Sequence, residues 1–279
     1  MHLITAKAQL SPNVTRLDVE APRIAKIRQP GQFVIVRKAE GCERIPLTIA
    51  DADPEKGTIT LVIQAVGKST RELVALETGD TIRDISGPLG HPTEMISSGR
   101  AVCVGGGVGT AVVHPMAQGL FRNGAEVISV IGGRSKEWVI FEDELSRLGK
   151  VVVCTDDGSY GRKGFVTDAT REILDAGGVD IVYAVGPVPM MRAVANLTRP
   201  YGIKTIVSLN PVMVDGTGMC GGCRVDVGGS TLFACVDGPE FDGHLVDFDL
   251  LADRLGTYRD FEEKANQCCS DGECRIGRG

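Results

Sequence analysis

The sequence predicts a β + α/β protein: an antiparallel barrel over residues 1–97, a parallel-sheet domain over 98–210, and a small segment over 211–255. Three observations carry this expectation. Before residue 98, short runs of alternating apolar residues are punctuated by Gly and Pro. After it, apolar runs of strand length alternate with helical periodicity, the pattern of βαβ units. From 211 onward glycines and cysteines displace both patterns.

In the first region Thr15–Glu20, Gln32–Arg37, Leu47–Asp51, Thr58–Val66 and Asp80–Ser86 read as strands. Turn signals at Gln29-Pro-Gly-Gln32, Asp53-Pro54 and Gly87-Pro-Leu-Gly90 separate them. One short helix is expected at Ser69–Leu76, with Ser69 or Thr70 at its start. Many short strands joined by turns favour a barrel. In the second region Arg100–Gly105, Ala125–Ile131, Lys150–Thr155 and Asp180–Val185 read as buried strands, and Ala111–Arg122 as a helix following the first. Beyond Leu250 the chain reads as a polar helix or tail. Its last part, 256–279, is a polar tail whose Cys268, Cys269 and Cys274 could hold another metal or cluster or form a redox-active thiol pair; an unordered end without a cofactor is the reading favoured for that group.

The 279 residues suffice for two domains and a small third. A content of 43% hydrophobic and 24% charged residues is ordinary for a globular chain, and a net charge of -6 argues against a nucleic-acid binder. No signal-peptide pattern and no apolar stretch of bilayer length is seen, so a cytoplasmic protein without membrane contact is expected. Nine cysteines, an odd number, argue against a disulfide framework. Cys103 and Cys154 lie in apolar runs and read as small buried hydrophobes, whereas Cys42 reads as a free thiol in a polar loop.

Asp215, Cys220, Cys223 and Cys235 form the pattern D-x4-C-x2-C-x11-C. Plant-type [2Fe–2S] proteins space their ligands C-x4-C-x2-C with a distant fourth Cys, so an aspartate stands here where the first cysteine is expected. Thiolates favour iron–sulfur clusters or zinc, and Gly216, Gly218, Gly221 and Gly222 let the backbone wrap close to such a group. A zinc knuckle, or unligated cysteines beside a turn aspartate, are the alternatives. The spacing favours the cluster, and leaves open whether Asp215 is a ligand or a neighbour.

Gly105-Gly106-Gly107-Val108-Gly109-Thr110 joins a buried strand to a helix, where backbone N–H groups and the helix dipole favour a pyrophosphate. Gly186, Pro187 and Met190 follow another strand, and a ligand at the carboxyl edge of the sheet would meet both turns. Arg134 and Lys136 follow the strand in which a ribose or 2′-phosphate would be read; solvated surface charge is the bland reading. In the barrel, Arg44 can grip a phosphate and Thr48, beyond Pro46 and Leu47, can hydrogen-bond a ring edge. Gly67, Lys68, Ser69 and Thr70 precede the short helix in an arrangement suited to a second phosphate.

In this order the motifs resemble the ferredoxin-NADP reductase superfamily, in its branch with a C-terminal [2Fe–2S] segment. The resemblance covers residues 1 to about 255. It implies a flavin-binding barrel with FAD at Arg44–Thr48 and Gly67–Thr70, and a nucleotide-binding domain with NAD(H) at Gly105–Thr110 and Gly186–Met190. Asp156 and Asp157 also look like that branch, and Arg134 joins the implied nucleotide site. The basic Arg134 and Lys136 point to NADP, whereas the resemblance implies NAD(H), which is taken here. The branch includes electron-transfer subunits of dihydroorotate dehydrogenase, cytoplasmic hydrogenases, sulfide dehydrogenase and the NADH-dependent reduced ferredoxin:NADP oxidoreductase. Asp215 in the first ligand position and Ser208-Leu-Asn-Pro-Val-Met-Val-Asp215 resemble the last two. The expected function is therefore an oxidoreductase subunit that exchanges hydride between NAD(H) and FAD and passes single electrons through a [2Fe–2S] cluster. Its implied partner is a larger flavin and iron–sulfur subunit like the glutamate synthase small chain, with ferredoxin reached indirectly and electron bifurcation as the overall process. A flavin-free wiring module is the opposed reading.

Overall fold

The computed structural model describes residues 1–270. Its first sheet contains β1 (His2–Ser11), β2 (Val14–Glu20), β3 (Phe33–Arg37), β4 (Arg44–Asp53), β5 (Thr58–Gln64), β6 (Thr81–Ile82) and β7 (Asp84–Leu89). Helices α1 (Pro22–Ile27) and α2 (Lys68–Val74) interrupt it. The strand order is β6-β1-β2-β5-β4-β3-β7, and every pair is antiparallel. Arg83 alone separates β6 from β7, yet these strands occupy opposite ends of that order. The sheet must curl until its ends are neighbours, which makes it a nearly closed barrel.

The second sheet contains β8 (Arg100–Gly106), β9 (Glu126–Gly133), β10 (Gly149–Thr155), β11 (Arg162–Lys163), β12 (Ile181–Val185) and β13 (Lys204–Ser208). Helices α3 (Thr110–Arg122), α4 (Glu142–Ser146), α5 (Val166–Asp175) and α6 (Val188–Thr198) connect them. A hairpin, β14 (Arg224–Val227) and β15 (Ser230–Phe233), follows, then β16 (Glu240–Asp242), α7 (Phe248–Gly256) and α8 (Arg259–Ser270). The order is β11-β10-β9-β8-β12-β13-β16, parallel except for β16. Strand order reverses between β8 and β12, the place where ligands of open α/β sheets lie.

Alternation explains why these runs are so apolar. In β3, Val34 and Val36 enter the barrel core, while Phe33 and Ile35 join a second core. That second core also holds Val102 and Val104 of β8, Met213, Cys223 and Cys235. The other face of β8, Ala101 and Cys103, packs with Val113, Met116 and Leu120 of α3 and with Val14, Ala50 and Val62 of the barrel. Strands buried on both faces read as continuous hydrophobic runs. His114 of α3 crosses to the barrel, with Nδ1 3.2 Å from the Ala50 carbonyl. Gln118 Nε2 lies 3.1 Å from its other ring nitrogen. Burial holds the His114 pKa below the ordinary imidazole value.

The structure departs from the sequence reading at several elements. The barrel has two helices where one was expected, because α1 is only six residues long and starts at Pro22. Strand β1 was missed: only Ile4 and Ser11 of it are buried, so it shows no alternation. Strands β13 and β16 were also missed, and β4 begins at Arg44 rather than at the expected Leu47, so that all of Arg44–Thr48 lies within it. The expectation for Cys268, Cys269 and Cys274 lies outside the described residues and side chains.

Segment Gly238–Glu240 ties the units together. His91 N–H donates to Gly238 O at 2.7 Å, Leu209 N–H to Pro239 O at 2.9 Å, and Thr93 Oγ1 to Glu240 Oε1 at 2.6 Å. Burial pushes the Glu240 carboxyl up to about 7 from an ordinary 4.5. The stability this group confers is therefore complete below pH 4.5 and lost as pH rises through about 7. Glu240→Gln keeps an acceptor for Thr93 and is expected to remove that loss, on the order of 3 kcal/mol. Denaturant unfolding of both proteins between pH 5 and 8 measures the difference.

Candidate functional site

Strand β4 changes partner along its length. Residues 44–48 pair with β3, Arg44 opposite Arg37 and Pro46 opposite Ile35, while β5 takes over from Ile49. The other edge of 44–48 is thus left without a strand, which is where a proline without an N–H is tolerated. Arg44 is exposed at its start; Leu47 and Thr48 are half-buried. Glu43, which the sequence reading missed, accepts a hydrogen bond from Ser69 Oγ and so brings the start of β4 to the start of α2. Thr70 Oγ1 accepts from Gly67 N–H at 3.0 Å and Val66 N–H at 3.1 Å, capping α2. Gly67 and Lys68 lie at that same turn. Glu43 had no signal beyond its position beside Arg44.

At the switch point the two predicted turns touch. A Cβ on Gly109 would stand 2.4 Å from Val185 O and 2.9 Å from Gly186 Cα, and one on Gly106 2.4 Å from Met190 Sδ. Gly105 faces Thr110 Cα at 2.9 Å by the same construction. Backbone packing therefore requires glycine at Gly105 and Gly109, while Gly106 and Gly186 lie under the Met190 thioether, the end of a flexible side chain. Gly107 differs: its φ is 55° and nothing lies within 4 Å of its missing side chain. Backbone at Gly107 and half-buried Val108 is open to a ligand; Thr110 is buried at the start of α3, and Pro187 caps α6.

The turns after β9 and β10 are also bonded. Asp156 N–H donates to Gly133 O at 3.1 Å and Asp157 N–H to Arg134 O at 3.2 Å. Ser159 donates to the Asp157 carboxylate, which lowers its pKa, and Lys136 N–H donates to Ser159 Oγ at 2.9 Å. The Arg134 guanidinium lies 5.9 Å from the Trp138 ring centre, and Lys136 Nζ 5.1 Å from that of Tyr160.

In the third region Asp215 closes a loop. Its Oδ1 accepts from Thr217 N–H and its Oδ2 from Cys220 N–H, both at 2.9 Å. These backbone N–H groups hold the carboxyl below the usual carboxylate range. Cys223 and Cys235, each 1% exposed, place their sulfurs 3.2 Å apart. Gly218 N–H donates to Cys235 Sγ at 3.2 Å, so the two pairs are neighbours. Burial and the adjacent Cys223 push the Cys235 thiol up to about 12. Coordination to a cation reverses that preference, because it deprotonates a thiol.

Among the described residues no three His, Cys, Asp or Glu side chains converge as on one metal ion. A two-iron cluster takes two protein ligands per iron. Two neighbouring pairs, Asp215 with the Cys220 backbone and Cys223 with Cys235, are the groups that would supply two ligands to each iron. The loop rests on the barrel: a Cβ on Gly216 would stand 2.7 Å from Leu89 Cδ1 and 2.8 Å from Ile35 Cγ1.

Residues 210–247 match the iron–sulfur cluster binding domain of dihydroorotate dehydrogenase B, and residues 103–196 match the oxidoreductase NAD-binding domain. A dihydroorotate dehydrogenase B (NAD(+)) electron transfer subunit homolog of Thermotoga maritima is 46% identical, covering 93% of this chain and 92% of its own. The dihydroorotate dehydrogenase B (NAD(+)) electron transfer subunit of Bacillus cereus is 33% identical over 86% of this chain and 95% of its own. The chain belongs to the family of dihydroorotate dehydrogenase B electron-transfer subunits and their homologues. A solved chain described under flavin-based electron bifurcation in the NADH-dependent reduced ferredoxin-NADP oxidoreductase is also similar. It is 44% identical with a TM-score of 0.92, over 97% of this chain and 98% of that one. The protein is thus an oxidoreductase of the ferredoxin-NADP reductase-like type, an electron-transfer subunit with a partner. Its expected cofactors, FAD, a [2Fe–2S] cluster and NAD(H), are the set these matches support. Among the described residues no helix is long and apolar enough to cross a membrane.

Two alanine substitutions separate packing from openness at the switch point. Gly109→Ala forces a methyl against Val185 O and is expected to cost about 2 kcal/mol of stability. Gly107→Ala is expected to cost about 1 kcal/mol, from its positive φ alone. Urea unfolding of both variants gives the comparison.

Proposed function

We propose that the chain takes hydride equivalents from NAD(H) and delivers single electrons to a larger partner subunit, within a bifurcating ferredoxin–NADP oxidoreductase. The observation that supports this reading is the seating of Gly216, within the Asp215–Cys220 loop, on Ile35 of β3 and Leu89 of β7, so that a cluster held by this loop would lie beside the barrel. In the proposed assignment, Gly105–Thr110, Gly186, Pro187 and Met190 hold the nucleotide pyrophosphate, and Arg134, Asp156 and Asp157 border its ribose. Arg44, Pro46, Leu47 and Thr48 line the flavin along the free edge of β4. Gly67, Lys68, Ser69 and Thr70 meet its pyrophosphate; Ser69 exchanges Glu43 for phosphate. Asp215, Cys220, Cys223 and Cys235 hold the cluster.

Bound flavin accepts electrons as a pair and releases them singly, and the cluster carries one at a time. The residues themselves bind and orient; no side chain is assigned a proton-transfer role. The proposed units are 1–97, 98–210, 211–255 and the tail 256–279. A cytoplasmic setting, which keeps thiols reduced, accompanies this reading. The partner we assign is a flavin and iron–sulfur subunit of the glutamate synthase small-chain type, through which ferredoxin is reached. A second reading is a dihydroorotate dehydrogenase partner, favoured by the match of residues 210–247; Asp215 in the first ligand position favours the bifurcating complex instead.

Anaerobically purified protein is expected to show flavin and iron–sulfur absorption, with NADH bleaching the flavin band. Cys235→Ser should retain the flavin while iron falls from about two per chain to near zero. Absence of flavin from the parent would refute the assignment. Isolation of the endogenous complex and mass analysis of the partner decide between the two readings.

A further inference from the structure

Helix α7 is fastened by its own cap and by the core. The Asp247 carboxylate accepts from Asp249 and Leu250 N–H at 3.0 and 2.9 Å, and Phe248 and Leu251 are buried with Cys223 and Cys235. One helical turn beyond Leu251 stands Arg254. Its Nη2 donates to Gly222 O at 3.4 Å, and that carbonyl lies between Cys220 and Cys223. Its Nε is buried without an acceptor among the described residues. A second guanidinium, that of Arg224, lies beside the same loop: its Nη1 would be 3.8 Å from a Cβ on Gly221.

What sets Arg254 apart from the other arginines without a carboxylate partner is its half-buried side chain, which meets the Gly222 carbonyl and keeps a buried Nε without an acceptor among the described residues. Arg16, Arg28, Arg37, Arg83, Arg100, Arg162 and Arg192 are ion-paired with carboxylates, but neither Arg224 nor Arg254 has such a partner among the described residues. In a chain of net charge -6, carboxylates are in excess. A partly buried guanidinium with an unmatched donor costs free energy until an anion meets it. The Gly222 carbonyl that Arg254 meets lies between two of the proposed ligands, Cys220 and Cys223, whose thiols coordination would make thiolates.

We propose that Arg254 is a positioning residue for the cluster: from α7 it clamps the Cys220–Cys223 loop, and its charge raises the reduction potential of the group held there. The inference rests on the four-ligand reading above. Reduction adds one electron and one negative charge to an already anionic site, so a nearby cation stabilises the reduced form more than the oxidised form. Partial burial keeps solvent and salt from screening this interaction. Arg224, exposed, contributes less.

The test is an anaerobic redox titration of the full-length protein, following the cluster by electron paramagnetic resonance, for the parent, Arg254→Lys, Arg254→Gln and Arg254→Met. The lysine variant should titrate close to the parent. In the two neutral variants the reduced-to-oxidised ratio at a fixed potential should fall about tenfold. Neutral variants that titrate with the parent, or a lysine variant displaced as far as they are, would overturn the proposal. Loss of the cluster from both neutral variants but not from the lysine variant would support a need for the charge. Loss from all three would assign Arg254 to packing and overturn it. A parent without any cluster refutes instead the four-ligand reading, so the two failures are distinct.

Discussion

The barrel, the parallel sheet and the cysteine-bearing loop are joined by one constraint, at Gly238–Glu240. This segment accepts backbone hydrogen bonds from His91, which leaves the barrel, and from Leu209, which leaves the parallel sheet. Its last residue pairs as β16 with Ser208 and accepts from Thr93. Gly90 packs so closely on it that an added Cβ would meet Pro239 Cδ at 2.9 Å. Barrel, sheet and cluster loop are thereby held in a single arrangement, and β3, buried on both faces, is the wall they share. Electron transfer needs carriers kept close, so a rigid junction here has a direct functional consequence.

The glycines divide by role in a way their spacing does not reveal. Gly105, Gly106, Gly109 and Gly186 close the space between β8, α3, β12 and α6, whereas Gly107 in the same turn is both left-handed and open. A glycine-rich turn therefore serves the sheet first and the ligand second. Asp215 shows a similar double use: it caps its own loop through two N–H groups and still presents its carboxylate beside Cys220. A carboxylate acceptor has more than two lone-pair sites, so loop closure does not exhaust it.

Much of the fold was legible in particular residues. Phe33-Val-Ile-Val36 and Ala101-Val-Cys-Val104 announced strands buried on both faces, and Gly105–Thr110 announced the turn that follows β8. Strand β1 was illegible because its pairing is satisfied by backbone bonds while most of its side chains face solvent. The glycine turns after β8 and β12 were readable for the opposite reason: they need glycine, a residue with a visible identity. Glu43 and Arg254 were unreadable, since ordinary charged residues acquire a role only through what lies beside them.

By itself, the sequence determined which chemistry the chain can hold, because a soft ligand set at x4, x2 and x11 spacing and a glycine turn after a buried strand are local properties. It also determined the family, through motifs that succeed one another in order. Only the tertiary structure decided how those motifs meet: that Asp215 meets the Cys220 backbone and Cys223 meets Cys235, that the loop lies on β3 and β7, and that α7 brings Arg254 to Gly222. These contacts join residues distant along the chain, and packing rather than local propensity selects them.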